Sequence, residues 1–210
     1  MSDTIFWTDL YSKLRPEQVK YDMWLEPFIG GLDPSETGSI LDLGCGAGND
    51  TLYLTEKGFS VTACDRSDEA LMLVQELVPQ AKTKQLDLLQ PLPFPDGSAR
   101  AVVADLSLHY FSWSDTGRIV ADISRVLQPG GQLWCRVNST RDFEYGAGQG
   151  RFIEPNYYEL DGKRKRFFDR PHLEQLFQEW QVTFVQEQTM NRYDKPKVVW
   201  VLAATKPELC

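Results

Sequence analysis

Ser39-Ile40-Leu41-Asp42-Leu43-Gly44-Cys45-Gly46-Ala47-Gly48, running on into Asn49-Asp50-Thr51-Leu52-Tyr53-Leu54, is a short apolar run holding one acid, then glycines at alternate positions, then a helix start. Strand, glycine turn and helix in that order open a parallel α/β sheet. Gly44, Gly46 and Gly48 admit backbone dihedrals closed to other residues and let a ligand approach bare main chain. The third glycine falls four residues after the first, whereas the dinucleotide fingerprint places it about five after. That spacing disfavours a pyrophosphate cradle, and with it a nicotinamide dehydrogenase. After the helix, a second strand, Phe59–Cys64, delivers Asp65 at the distance where such folds place a ribose-binding acid.

The strand-then-helix order repeats outward from this unit. A helix after Ser67 buries Ala70, Val74, Leu77 and Val78 and stops at Pro79, and a strand follows near Thr83–Leu86. Three prolines and a turn dipeptide make Gln90–Gly97 a loop leading to the strand Ala101–Asp105. From Ser114 a helix buries Ile119, Ile123, Val126 and Leu127, and Pro129-Gly130-Gly131 ends it before the strand Gln132–Val137. The pattern predicts a mostly parallel sheet covered on both faces.

The flanks differ. Phe6, Trp7, Leu10, Tyr11 and Leu14 share one helical face, Pro16 breaks it, and a second helix is expected from about Glu17 to Phe28. Residues 139–168, rich in glycine and aromatics, read as a long loop or small hairpin excursion. Asp169-Arg170-Pro171 opens a helix with Leu173, Leu176, Phe177 and Trp180 on one stripe, and two strands, about Val182–Gln188 and Val198–Ala204, close the chain.

With 210 residues, 42% of them hydrophobic, the chain fits a single domain. Met1–Lys20 is polar and mixed in charge, unlike a signal peptide, and no apolar stretch reaches membrane-span length, so a soluble, cytoplasmic protein is expected. Cys45, Cys64, Cys135 and Cys210 form no CxxC pair and read as free thiols, with no metal expected. A net charge of -8 argues against nucleic acid, which calls for a basic face. The basic run Lys163-Arg164-Lys165-Arg166 has two readings, a solvated face or turn between strands and a clamp for an anionic acceptor.

Leu41–Gly48, Asp65, Asp87-Leu88, Ala104–Tyr110 and Leu127–Gly131 together resemble the successive motifs of the class I S-adenosylmethionine (SAM) dependent methyltransferases, of the small-molecule type. The resemblance covers residues 38–137 and implies a Rossmann-like doubly wound, mostly parallel sheet with an antiparallel edge pair at the C-terminus. It also implies a helical N-terminal cover over residues 1–37 and an acceptor-side insertion over 138–170. The activity it implies is methyl transfer from SAM to a small-molecule acceptor, without nucleic acid or membrane as partner. The alternatives are a protein side-chain methyltransferase and a SAM-binding module that does not catalyse. Oligomeric state stays open.

Loops after the early strands of an open parallel sheet converge on one crevice. Asp65 can accept from both ribose hydroxyls, since a carboxylate is acceptor only. By resemblance, Asp87 accepts from the adenine amino group while the Leu88 N–H donates to the ring. Asp42, the backbones of Gly44 and Gly46, and the backbone groups of Leu106 face the methionine part, near a helix N-terminus suited to its carboxylate. Asp42 has a second reading, ordering the glycine turn. Tyr11 and Trp7 fold over the cofactor or simply pack; Arg66 lies along adenine or in solvent. On the acceptor side, His109 at the end of the fourth strand suits a general base, with Tyr110 as its partner, or it packs in the strand-to-loop corner. His172 reads as a surface residue. The fourth-strand loop lacks the Asn/Asp-Pro-Pro-aromatic signature of amine-methylating relatives. Residues 150–162 would form the acceptor wall or an ordinary hairpin.

Overall fold

The computed structural model describes residues 3–207, so Cys210 lies outside the described residues. Seven strands form the main sheet: β1 (Ser39–Leu43), β2 (Val61–Asp65), β3 (Lys82–Gln85), β4 (Ala99–Asp105), β5 (Leu127–Asn138), and two late strands, Gln181–Met190 (β9) and Lys197–Thr205 (β10). Their order is β3-β2-β1-β4-β5-β10-β9. The first five run parallel, while β10 is antiparallel to both β5 and β9. The chain leaves β1 toward β2 and returns to β4 on its other side, so the sheet reverses direction there. A crevice opens beyond the carboxyl ends of strands at such a point.

Both faces of the sheet are buried, which is why β1 and β4 read as continuous apolar runs. Leu41, Leu43, Val102 and Leu133 face one way, toward Ile119 and Ile123 of α5 (Trp113–Val126) and Leu173 and Phe177 near α6 (Arg170–Leu176). Ile40, Ala101, Val103 and Trp134 face the other way, toward Leu25, Tyr53 and Leu54. α3 (Asn49–Glu56) follows the glycine turn, and α4 (Asp68–Leu77) starts where the Ser67 hydroxyl accepts the Ala70 N–H. That is an ordinary N-cap. The described residues include no helix long and apolar enough to cross a membrane.

α1 (Asp3–Ser12) matches the expected first helix. The expected helix over Glu17–Phe28 does not form. A 3-10 turn spans Pro16–Gln18, and only the short α2 (Glu26–Ile29) follows. Pro27 forbids a helix running through residues 23–28, because a proline lacks its N–H and its ring clashes with the carbonyl four residues back, which confines Pro27 to a first turn. Residues between are pinned by side chains instead: Asp22 pairs with Arg136, and Trp24 donates to Asp50.

The excursion over 139–168 is more regular than a loop. It carries a separate antiparallel sheet of β6 (Arg151–Glu154), β7 (Tyr157–Leu160) and β8 (Lys163–Arg166). The turn Asp161-Gly162 has positive φ at both positions, 52° and 74°, the signature of a tight hairpin. This small sheet docks on the segment after β4: Tyr157 Oη donates to the Tyr110 carbonyl at 3.0 Å, and the Glu154 carboxylate accepts the Trp113 N–H at 2.6 Å.

Candidate active site

The glycine turn is tied to β2 at two points. Its main chain continues the sheet, with the Gly44 and Cys45 N–H groups both reaching the Cys64 carbonyl. Gly46 then donates its N–H to Asp65 Oδ2 at 2.9 Å, while Asp65 Oδ1 accepts from the Ser67 N–H at 2.9 Å. Gly44 has φ of 74°, and a Cβ there would stand 2.5 Å from Ser107 Cβ. Gly46 has φ of 51°, and its Cβ would meet the Tyr11 hydroxyl at 2.6 Å. Both positions thus need glycine for conformation and for space.

Tyr11 and Trp7 reach this turn from α1. Their rings stack at 5.9 Å, and Trp7 meets Tyr110 edge-on at 5.5 Å. α1 therefore covers both the glycine turn and the segment after β4. Burial, with Asp65 nearby, pushes the Tyr11 phenol well above its ordinary range.

After β4 the chain turns sharply. Leu106 adopts φ of 55°, a region that costs a branched residue about 1–2 kcal/mol and that tends to mark functional corners. Ser107 Oγ is buried, beside the Gly44 main chain, and without a hydrogen-bond partner among the described residues. His109 is 2% exposed, packs on Tyr110 at 4.3 Å, and its Nδ1 also lacks a partner there. Burial, then the charges of Lys197 and Lys165, hold its pKa well below 6.5, so the ring is neutral.

Beneath the crevice lies a buried charge network. Asp105 receives Arg136 Nε at 2.6 Å and an Arg192 guanidinium nitrogen at 2.6 Å, and Arg136 also reaches Asp22 at 2.6 Å. Burial alone would raise the Asp105 carboxyl, but the two guanidiniums hold it well below the usual carboxylate range. Asp42, accepting from Thr51 Oγ1 at 2.6 Å, is pushed by burial up to about 7; the Thr51 bond opposes this, and Asp105 and Asp65 add to it. Asp50 is raised well above its usual range by burial, then by Asp105 and Asp42.

The structure therefore brings Tyr11, Asp42, Gly44, Gly46, Asp65, Leu106, His109 and Tyr110 to one region. Asp87 and Leu88 sit in the loop after β3, where Asp87 Oδ1 accepts the Leu89 N–H at 2.9 Å. Arg66 is exposed. His172 is half-buried against Trp113 and beside Asp169. Sequence reasoning passed over Ser107, Arg136 and Arg192. A charge inside the apolar strand Leu133-Trp134-Cys135-Arg136-Val137 was the available signal for Arg136, since a buried charge needs a partner. Nothing local marks Ser107, whose close neighbour Gly44 lies 63 positions earlier, after a different strand.

Residues 40–131 match a family model described as a methyltransferase domain. The chain is 36% identical over 118 residues to an uncharacterized methyltransferase of Mycobacterium tuberculosis, covering 56% of this chain and 46% of that one. It is 28% identical over 178 residues to a tRNA N(3)-cytidine methyltransferase of Gallus gallus, covering 79% and 47%. The chain spans about half the length of the curated relatives it matches. Among solved structures, a SAM-dependent methyltransferase of Methanosarcina mazei superposes with a TM-score of 0.72 at 21% identity, over 85% of this chain and 95% of that one. The 1,6-didemethyltoxoflavin-N1-methyltransferase of Burkholderia thailandensis, solved with 1,6-didemethyltoxoflavin and S-adenosylhomocysteine bound, gives 0.68 at 21% identity over 98% and 84%. The sequence matches show a methyltransferase domain over residues 40–131, and the structural likenesses show the fold shared with SAM-dependent methyltransferases.

Proposed function

We propose that the chain binds SAM in the crevice at the glycine turn and directs its methyl group to a small-molecule acceptor held between α1, the segment after β4 and the small sheet β6–β8. The observation that carries this reading is the grouping of bare main chain at Gly46, the Asp65 carboxylate on its N–H, and the orphaned Ser107 hydroxyl beside Gly44. These residues fit the cofactor: an unpaired buried hydroxyl calls for a polar ligand atom, and each Asp65 oxygen keeps a lone pair for a ribose hydroxyl.

When bound, SAM supplies an electrophilic methyl on a sulfonium, so transfer is an in-line displacement in which positioning lowers the barrier. Asp65 would hold the ribose; Asp87 and the Leu88 N–H would read adenine, with Arg66 alongside. Asp42 would keep the turn in register through Thr51, while Gly44, Gly46 and Leu106 offer main-chain groups to the methionine part. Tyr11 stands over Gly46 and Trp7 over Tyr110, so entry requires α1 to move and its return excludes water. The neutral, unpartnered Nδ1 of His109 would take the proton released by an O–H, N–H or S–H nucleophile, with Tyr110 shaping the approach.

A net charge of -8 favours a small molecule over RNA, because phosphate neutralisation needs clustered cations. The test incubates the chain with methyl-labelled SAM and either a metabolite extract or a tRNA pool. Label in a small molecule is expected. Label confined to tRNA would overturn the acceptor class, and no transfer to any pool, with SAM still bound, would leave a binding module.

A further inference from the structure

The basic run of β8 divides by strand alternation, since successive side chains point to opposite faces. Arg166 is buried and committed to structure, pairing with the Glu154 carboxylate and donating to the carbonyls of Phe111 and Pro155. Arg164 pairs with Glu159 at 3.1 Å in solvent. Lys163 and Lys165 occupy the other face, where they line a cavity of about 120 Å³ together with Tyr145, Tyr158 and Phe167. The acid on its lining is Asp161, exposed in the β7–β8 turn.

Lys165 is half-buried, yet among the described residues no carboxylate lies within ion-pair distance of it. Its Nζ reaches the Tyr145 carbonyl at 3.5 Å. Nearby Lys197, in contrast, is neutralised by Asp142 at 2.8 Å and lies 4.2 Å from the Tyr145 ring centre. Burial, then the charges of Lys197 and Lys163, push Lys165 down to about 8, and the charge of Asp142, already paired with Lys197, only partly opposes this. An ammonium withdrawn from water beside other cations is costly until an anion joins it. Lys165 also lies close enough to His109 to depress its basicity, which connects this cavity to the segment after β4. From α1, Phe6 lays its ring 3.2 Å from the Lys163 ammonium, so the helix over the glycine turn also meets β8.

We propose that Lys165, with Lys163 beside it, is the anchor of an anion subsite that takes the carboxylate of a planar, ring-bearing acceptor. The rings of Tyr145, Tyr158 and Phe167 supply flat walls beside the two ammonium groups, against which a planar ring can lie. Two lysines with no arginine fork on the cavity side suit a single carboxylate as a point-charge partner. The assignment rests on the methyl-transfer reading for its purpose and deepens it by naming the acceptor's charge.

The test uses two probes of like size that differ in charge, benzoate and benzamide, titrated by ligand-observed NMR into the full chain. S-adenosylhomocysteine affinity is measured separately on every protein. Benzoate is expected to bind at least about tenfold more tightly than benzamide, about 1.4 kcal/mol. Lys165→Gln should abolish that preference while S-adenosylhomocysteine and benzamide bind as before; Lys165→Arg should keep it, and Lys84→Gln on the exposed β3 should change nothing. Equal affinity for the two probes in the unaltered chain, no benzoate binding, or a preference that survives Lys165→Gln overturns the subsite. Failure of the unaltered chain to bind S-adenosylhomocysteine strikes the methyl-transfer reading instead, whatever the two probes do.

Discussion

Asp65 Oδ2 accepts the main-chain N–H of Gly46 at 2.9 Å, joining the acid at the end of β2 to the turn after β1 across 19 residues. Its other oxygen holds the Ser67 N–H, immediately before α4. One carboxylate thus orders two loops that border the same crevice. The two bonds fix the loops relative to each other, which is the preorganisation a binding site needs.

Gly44→Ala should destabilise the fold by more than the left-handed backbone alone requires. The backbone strain is about 1–2 kcal/mol, and the added Cβ would sit 2.5 Å from Ser107 Cβ. Adding Ser107→Gly should recover the steric share and leave the backbone share. Urea denaturation of the two variants checks this; no recovery in the double variant would contradict the close approach.

Asp105→Asn should cost about 3 kcal/mol or more, because it leaves the buried Arg136 and the half-buried Arg192 facing a neutral amide. Asp9→Asn, which breaks an exposed pair with Lys13, should cost well under about 1 kcal/mol. Equal effects in denaturant melts would show that the network beneath the crevice is not buried.

Asp42 makes stability depend on pH in a direction set by its raised pKa. Its folded value of about 7 lies above the ordinary 3.8, so the native state binds the proton more tightly than the unfolded chain does. Its contribution is fully present below 3.8 and is lost as pH rises through about 7. Asp42→Asn, which keeps an oxygen for Thr51, should gain stability relative to the unaltered chain progressively across that window. A difference that does not vary with pH would contradict the burial of an ionisable Asp42.

His109 should remain neutral below 6.5. With the acceptor identified, the acidic limb of turnover belonging to His109 should therefore fall below 6.5, and His109→Ala should lower turnover without changing S-adenosylhomocysteine affinity. A limb at or above 6.5 that vanishes in His109→Ala would mean an exposed imidazole.

Much of this architecture was legible because the central strands are buried on both faces and so are written as apolar runs, with Gly44–Gly48 and Pro129-Gly130-Gly131 punctuating them. Asp65 was found by its distance from the glycines. The helix expected over Glu17–Phe28 gave way to Pro27 at its end and to the tertiary contacts of Asp22 and Trp24 before it. For residues 139–168 a long loop and a small hairpin stayed open, and β6–β8 could not be delimited because four-residue strands rich in charge carry too few positions to establish a period. Ser107 and Lys165 acquire meaning only from what surrounds them: one is an orphaned hydroxyl against a glycine from another strand, the other a half-buried ammonium beside a cavity. His109, expected at the end of the fourth strand, lies in a 3-10 turn, Leu108–Tyr110, four residues past β4, and its burial and the cations around it are tertiary facts.

The measurement that bears most directly on the crevice is a calorimetric titration of S-adenosylhomocysteine into the unaltered chain and into Asp65→Ala. The account predicts saturable binding to the unaltered chain and a loss of about 1.5–3 kcal/mol in the variant, the size of a charge-assisted hydrogen bond. No binding to the unaltered chain, or equal affinity in the two proteins, would contradict it.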